Sequence, residues 1–226
     1  MALYLGNNKV SMKSGYTTTG LKDFLEHGGK FSYTKYTDLT GILKYSDTEN
    51  VTNMEYMFQN CNKLTTIPLL DTSKVTNMKN MFTTSGLTTI PLLDTSKVTN
   101  MYYMFYNCLK LTTIPTLDTS NVTDMNGMFA NCSRLTSVGQ LDASKCTYFD
   151  NMFSNCSKLE QIHMTGMKVS FDIHYSTLFT REALVEILNN LATVTNTQTL
   201  TMGSTNLSKL TDEDKAIATN KGWTLA

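Results

Sequence analysis

The residues of this 226-residue chain that could do chemistry fall in columns: four of its five cysteines, a run of methionines and a set of aspartates. Cys61, Cys108, Cys132 and Cys156 recur at one position of a repeated pattern, and Cys146 occupies another. Thiols in register could bind zinc or pair as disulfides. The chain has no C-x-x-C pair, the usual spacing of a structural zinc site. At a stacking distance of ~4.8 Å, Cys61 and Cys108 would lie about 10 Å apart, too far to bridge. Cys108, Cys132 and Cys156 come closer, but their parallel Cβ vectors fit a disulfide poorly. All five are expected to be reduced and packed as small hydrophobes. Met54, Met78, Met101 and Met125 resemble a soft-ligand column, yet thioethers at core spacing are packing material. Asp47, Asp71, Asp94, Asp118 and Asp142 could hold calcium, but D-T-S also reads as a cap for a following turn, and the glycine-rich calcium β-roll spacing is absent. No metal and no cofactor are expected. His27, His163 and His174 are the only histidines. Without G-x-S-x-G, H-E-x-x-H or a phosphate loop, no catalytic site is expected.

These columns exist because the chain repeats itself. VTNMEYMF at 51–58, VTNMKNMF at 75–82, VTNMYYMF at 98–105 and VTDMNGMF at 122–129 align, with Cys146 opening a fifth copy; the steps are 24, 23, 24 and 24 residues. A period of 20–29 residues specifies stacked coils, each burying its core against its neighbours. Val75, Met78, Met81 and Phe82 fall at i, i+3, i+6 and i+7, which predicts a two-turn helix. Leu64, Ile67 and Leu69 follow the L-x-x-L-x-L strand pattern, and Pro68, Pro91 and Pro115 should end each strand early. The expected fold is α/β: a leucine-rich-repeat-like solenoid, one short helix and one short parallel strand per coil, capped at both ends. Residues 1–46 form the N-terminal hairpin, helix and degenerate coil, 47–164 the five repeats, and 165–226 a C-terminal helix-strand cap.

The ends carry their own signals. ALYLGNNKVSMK reads as a hairpin turning at Gly6, Asn7 and Asn8, and TTGLKDFLEHGG as a helix with Leu21, Phe24 and Leu25 inward, stopped at Gly28 and Gly29. Thr180 should cap a helix burying Leu184, Ile187, Leu188 and Leu191. TQTLTMG reads as a strand, Thr211 starts another helix through a near capping box, and GWTLA is a last strand. Nineteen basic and nineteen acidic residues cancel, which gives no footing for nucleic acid or anionic membrane. No apolar run approaches the roughly 20 residues of a membrane span, and residues 1–20 lack the layout of a signal peptide.

The motif D-T-S-[KN]-V-T-x-M-x-x-M-F-x-N-C-x-x-L-T-T-I, across about residues 47–164, resembles the repeat of BspA-type leucine-rich-repeat bacterial surface proteins, and the tail LTMGSTNLSKLTDEDKAIATNKGWTLA is similar to the ends of such proteins in gut bacteria and their prophages. The resemblance implies a non-catalytic, surface-exposed or secreted protein that adheres to a protein or cell-surface ligand. The alternative is a structural or receptor-binding part of a phage or prophage tail, or a rigid spacer. Two sets of side chains are the candidate contact surface. Tyr102, Tyr103 and Tyr106 cluster in the third coil, with Tyr56 at the equivalent of Tyr103, and tyrosine is enriched in interfaces. The outward strand positions are Thr66 with Pro68, Thr89 with Pro91, Thr113 with Pro115, Ser137 with Gly139, and Gln161 with His163.

Overall fold

A computed structural model describes residues 2–5, 8–11, 25–32, 37–39 and 43–226. The predicted inward stripe is buried in every coil: Val75, Met78, Met81 and Phe82 are fully enclosed, as are Val98, Met101, Met104 and Phe105. The predicted helix is not there. Residues 55–60, 79–84, 102–107, 126–131 and 150–155 are chains of turns, and the reason lies in two positions per coil. The fifth residue after the Val (or Cys146) is left-handed in all five coils, at Tyr56, Asn80, Tyr103, Gly127 and Asn151, and so is the ninth, at Asn60, Thr84, Asn107, Asn131 and Asn155. Asn and Gly tolerate that region, and a residue in it interrupts a right-handed helix. Alternate N–H groups therefore turn outward along the stack. Met78, Asn80, Phe82 and Thr84 donate to the carbonyls of Asn100, Tyr102, Met104 and Tyr106 at 2.8–3.0 Å, and the same four-bond rung recurs between the other coils. A helix would have satisfied these groups internally; here the neighbouring coil does it.

The second half of each coil also departs from expectation. Leu69 and Leu92 are exposed, by 52% and 65%, and Leu70 and Leu93 are buried in their place. The inward spacing is thus L-x-x-I-x-x-L, as in Leu111, Ile114 and Leu117, a period of three that suits an extended polyproline-like backbone better than alternating strand. Residues 64–70, 87–93 and 111–117 accordingly hold no named strand. Strands begin where proline ends. Gly139 and His163 stand in the places of Pro68, Pro91 and Pro115, and there β3 (Ser137–Asp142) and β4 (Gln161–Thr165) pair in parallel. A proline at that place supplies no ladder donor.

At the start, β1 (Ala2–Leu5) and β2 (Asn8–Ser11) form the expected antiparallel hairpin, with Asn8 already paired to Leu5. Gly6 and Asn7, and Leu21 and Phe24 of the expected helix, lie outside the described residues. Leu25 is buried, and Gly28 (φ 80°) donates to its carbonyl at 3.0 Å. At the other end β5 (Phe171–Asp172), β6 (Gln198–Thr201) and β7 (Trp223–Leu225) make a parallel sheet in that order. Helix α1 (Arg181–Asn190) is capped by Thr180, whose hydroxyl accepts from Ala183 N–H, and buries Leu184, Ile187 and Leu188. A short α2 (Gly203–Leu207) precedes α3 (Asp212–Thr219), which opens with the Thr211–Asp214 capping box. One hydrophobic cluster runs from Leu25 to Trp223. Its spine is a column of six phenylalanines, 31, 58, 82, 105, 129 and 153, with centroids 5.4–5.9 Å apart and planes within 13°, the spacing of offset-stacked rings.

Candidate functional site

The columns that could have done chemistry serve the stack. Cys61, Cys108, Cys132 and Cys156 are buried free thiols, each donating to the carbonyl of a phenylalanine in the preceding coil: Phe31, Phe82, Phe105 and Phe129, at 3.1–3.2 Å. Burial pushes the Cys156 thiol up to about 12 and that of Cys146 to about 11, so both stay protonated and unreactive. The second coil has Ser85 at this level, 3.4 Å from Cys108 Sγ. The aspartates close local turns. Asp71, Asp94 and Asp118 each accept from the N–H and hydroxyl of the serine two residues on, at 2.6–3.1 Å, and these hydrogen bonds hold all three carboxyls below their ordinary value. Asp142 accepts from Ser144 N–H at 2.8 Å, and Asp47 from Lys44 N–H at 2.9 Å. Asn53, Asn77, Asn100 and Asp124 form a further polar column, each side chain accepting the N–H two residues on at 2.9–3.0 Å. Its signal was the invariant Asx of V-T-[ND]-M, a local turn former.

The candidate contact residues separate into two sets. Thr66, Thr89, Thr113 and Gln161 are exposed on the second half of their coils. His163 is half-buried with Nδ1 2.6 Å from Glu186 of α1, so its ring is held within the fold. Tyr56 lies under Lys30 Nζ, 4.6 Å from the ring centre. Tyr102, Tyr103 and Tyr106 do come together: Tyr103 sits between the other two, at 4.3 Å from Tyr102 and 4.7 Å from Tyr106. Lys79 approaches the Tyr102 ring at 5.6 Å. Burial, then the neighbouring Tyr102, raises the Tyr103 phenol above its ordinary value.

Tyr103 is costly where it stands. Its φ of 51° is uncommon for a bulky side chain and unfavourable by about 1–2 kcal/mol. Three other coils avoid the cost with Asn80, Gly127 and Asn151. The ring rests on the next coil at Gly127, where a Cβ would stand 1.7 Å from Tyr103 Cε1. Glycine is thus required twice, by its own φ of 58° and by the ring above it.

Beside Tyr103 opens a cleft of about 440 Å³. Asn126 and then Asp150 and Asn151 of the next two coils continue its wall, and Phe171 and Asp172 of β5 and Thr199 and Thr201 of β6 line it further. Asp172 is braced by His174, whose N–H and Nδ1 lie 2.8 and 2.5 Å from its Oδ1. Ser170 also lines the cleft, and its hydroxyl bonds Gln198 at 2.9 Å and accepts from Thr199 N–H at 2.9 Å. Asn126 Oδ1 is buried and has no hydrogen-bond partner among the described residues, an uncommon state for a polar atom in a folded chain. Periodicity found the tyrosines; the cleft joins residues up to 98 positions apart, from Tyr103 to Thr201, and no local pattern foretold it.

The stacked coils carry a continuous phenylalanine column, a buried thiol at one level in four of the five coils and, at the surface of the third, Tyr103 lining an open cleft. Two overlapping stretches, residues 29–112 and 83–193, match the family described as "Mycoplasma protein of unknown function, DUF285", and the chain belongs to that family. No curated protein matches the chain.

Proposed function

We propose that this protein is a non-catalytic adhesin: a leucine-rich-repeat-like solenoid of the BspA kind, displayed on a bacterial surface or secreted, that attaches to a protein or cell-surface ligand through the tyrosine face of its third coil. The observation that carries the reading is Tyr103. A bulky ring is kept in a left-handed conformation that Asn80, Gly127 and Asn151 occupy more easily, stacked between two further tyrosines. Residues held in costly conformations cluster where binding repays them, and tyrosine supplies large contact area with a polar tip. Immobilised protein should retain host extracellular-matrix proteins or whole bacterial cells, and Tyr102→Ala with Tyr103→Ala should weaken retention while the melting temperature stays close to wild type. Undiminished retention by the folded double variant would refute this reading. A second reading, a rigid spacer or a purely structural phage-tail element, draws on the uniform threonine ladder, in which Thr76, Thr99, Thr123 and Thr147 hydroxyls each bond the carbonyl of the threonine one coil back at 3.2–3.3 Å. It predicts no retained ligand at all.

A further inference from the structure

We infer that the column Lys110, Arg134 and Lys158 binds a linear anionic polysaccharide, one carrying a carboxylate or sulfate on successive sugars. This surface is separate from the tyrosine face and goes beyond the adhesion reading above. The three cations hold one position of the repeat, two residues after Cys108, Cys132 and Cys156, and all are exposed. Two residues further on, Thr136 N–H donates to the Thr112 carbonyl and Glu160 N–H to that of Thr136, at 3.0 and 2.8 Å. Segments bonded in this way stand ~4.8 Å apart, so three like charges follow one another at the coil spacing. Like charges side by side on neighbouring segments are destabilising, and an anion laid along them removes the repulsion. None of the three makes a side-chain hydrogen bond or an ion pair among the described residues.

Other cations are fastened. Lys74 and Lys145 bond the Asn50 and Asn121 side chains, and Lys209 and Lys221 bond backbone carbonyls. The contrast is sharpest at arginine, of which the chain has two. Arg181 grips Asp214 through two nitrogens, the fork that a guanidinium offers an oxyanion. Arg134 carries the same fork, unpaired, in the middle of the run. Lys63 holds the position in the first coil, but Gly86 interrupts the column after it; a Cβ there would stand 2.3 Å from the Asn62 carbonyl oxygen. The run is therefore three coils long.

The surroundings select among polyanions. Residues 107–113, 131–137 and 155–161 contain no aromatic side chain, and single-stranded nucleic acid is held by stacking its bases on aromatics. A bilayer or a duplex spreads its charge over a face, whereas these cations stand in single file on a chain of zero net charge. Exposed hydroxyls lie beside them at Thr113 and Ser157, able to bond the hydroxyls of a sugar. Glu160 is the one carboxylate in these three stretches. A thread with an anion on each sugar fits this line of charge.

The test is calorimetric titration of the whole chain with hexasaccharides of heparin and of hyaluronan over a series of salt concentrations. Oligothymidylate and phosphatidylglycerol vesicles are the competing arms. At least one hexasaccharide should bind, its log affinity falling against log salt with a slope of roughly −2, as counterion release by about three cations predicts for a flexible chain. Lys110→Gln, Arg134→Gln and Lys158→Gln together should weaken binding about tenfold or more. The control removes the same charge elsewhere. Lys74→Gln, Lys97→Gln and Lys145→Gln, beside the aspartate column, should leave binding within about twofold, because salt screens distant charges. All six positions are exposed, so both variants keep their fold. Binding of neither hexasaccharide, equal binding by the first triple variant, an equal loss in the control, or tighter binding of oligothymidylate or vesicles would each overturn the inference. Tyr102→Ala with Tyr103→Ala should leave hexasaccharide binding unchanged, so this surface and the tyrosine face stand or fall separately.

Discussion

Replacing Gly127 with alanine puts a methyl group 1.7 Å from Tyr103 Cε1, and that contact separates two costs that are usually entangled. The first is local. Gly127 has φ 58°, a conformation in which a side chain costs about 1–2 kcal/mol. The second is the Tyr103 ring, which must lift from its seat and lose part of its stacking with Tyr102 and Tyr106, worth about 0.5–1.5 kcal/mol. Gly127→Ala should therefore destabilise by about 1.5–3.5 kcal/mol in all. In a Tyr103→Asn background there is no ring to lift, so only the backbone cost of about 1–2 kcal/mol should remain. Tyr103→Asn alone loses the stacking but relieves its own left-handed strain, and should change stability by no more than about 1 kcal/mol. The four proteins form a double-mutant cycle with a coupling of about 0.5–1.5 kcal/mol, measured by urea unfolding followed by far-ultraviolet circular dichroism. If Gly127→Ala costs the same in both backgrounds to within about 0.3 kcal/mol, the ring is not seated on Gly127 and the account of the tyrosine face fails.

Phe105→Ala removes a fully buried ring from the middle of the phenylalanine column and should cost about 3–5 kcal/mol in the same assay; a loss below about 1 kcal/mol would mean that the column does not organise the stack. The five buried thiols should resist a thiol-specific disulfide reagent at pH 8 in the folded protein and all react once it is unfolded; rapid modification of Cys132 or Cys156 in the folded state would contradict their burial. Arg181 grips Asp214 with two bonds of 2.7 Å, and these, with the Thr211 N–H, lower the Asp214 carboxyl below its ordinary 3.8. Because the folded value is depressed, the contribution is whole above about 3.8 and is lost as pH falls further. Asp214→Asn should lower the melting temperature at neutral pH and flatten its decline in acid, and an unchanged acid profile would count against the pair.

The repeat, its register and nearly all of its interior were legible in the residues alone. Val, Met, Met-Phe and Cys recur at fixed positions because every coil must bury the same stripe, and burial follows side-chain type whatever backbone carries it. For the same reason the caps at Thr180 and Thr211, which depend on neighbours within four residues, were read correctly. The backbone inside each coil was not. Spacing of i, i+3, i+6 and i+7 is shared by a helix and by a run of turns, and what selects the turns is the next coil, whose carbonyls take the N–H groups that a helix would keep. Asn80, Asn107, Asn131 and Asn155, at left-handed positions, were the available hint. The exposed Leu69 and Leu92 were misplaced by assuming a strand where proline denies one. The cleft belongs wholly to tertiary structure. It is assembled from coils three to five and the β5–β6 edge, and the seat of Tyr103 on Gly127 is a relation between two residues that only stacking brings together.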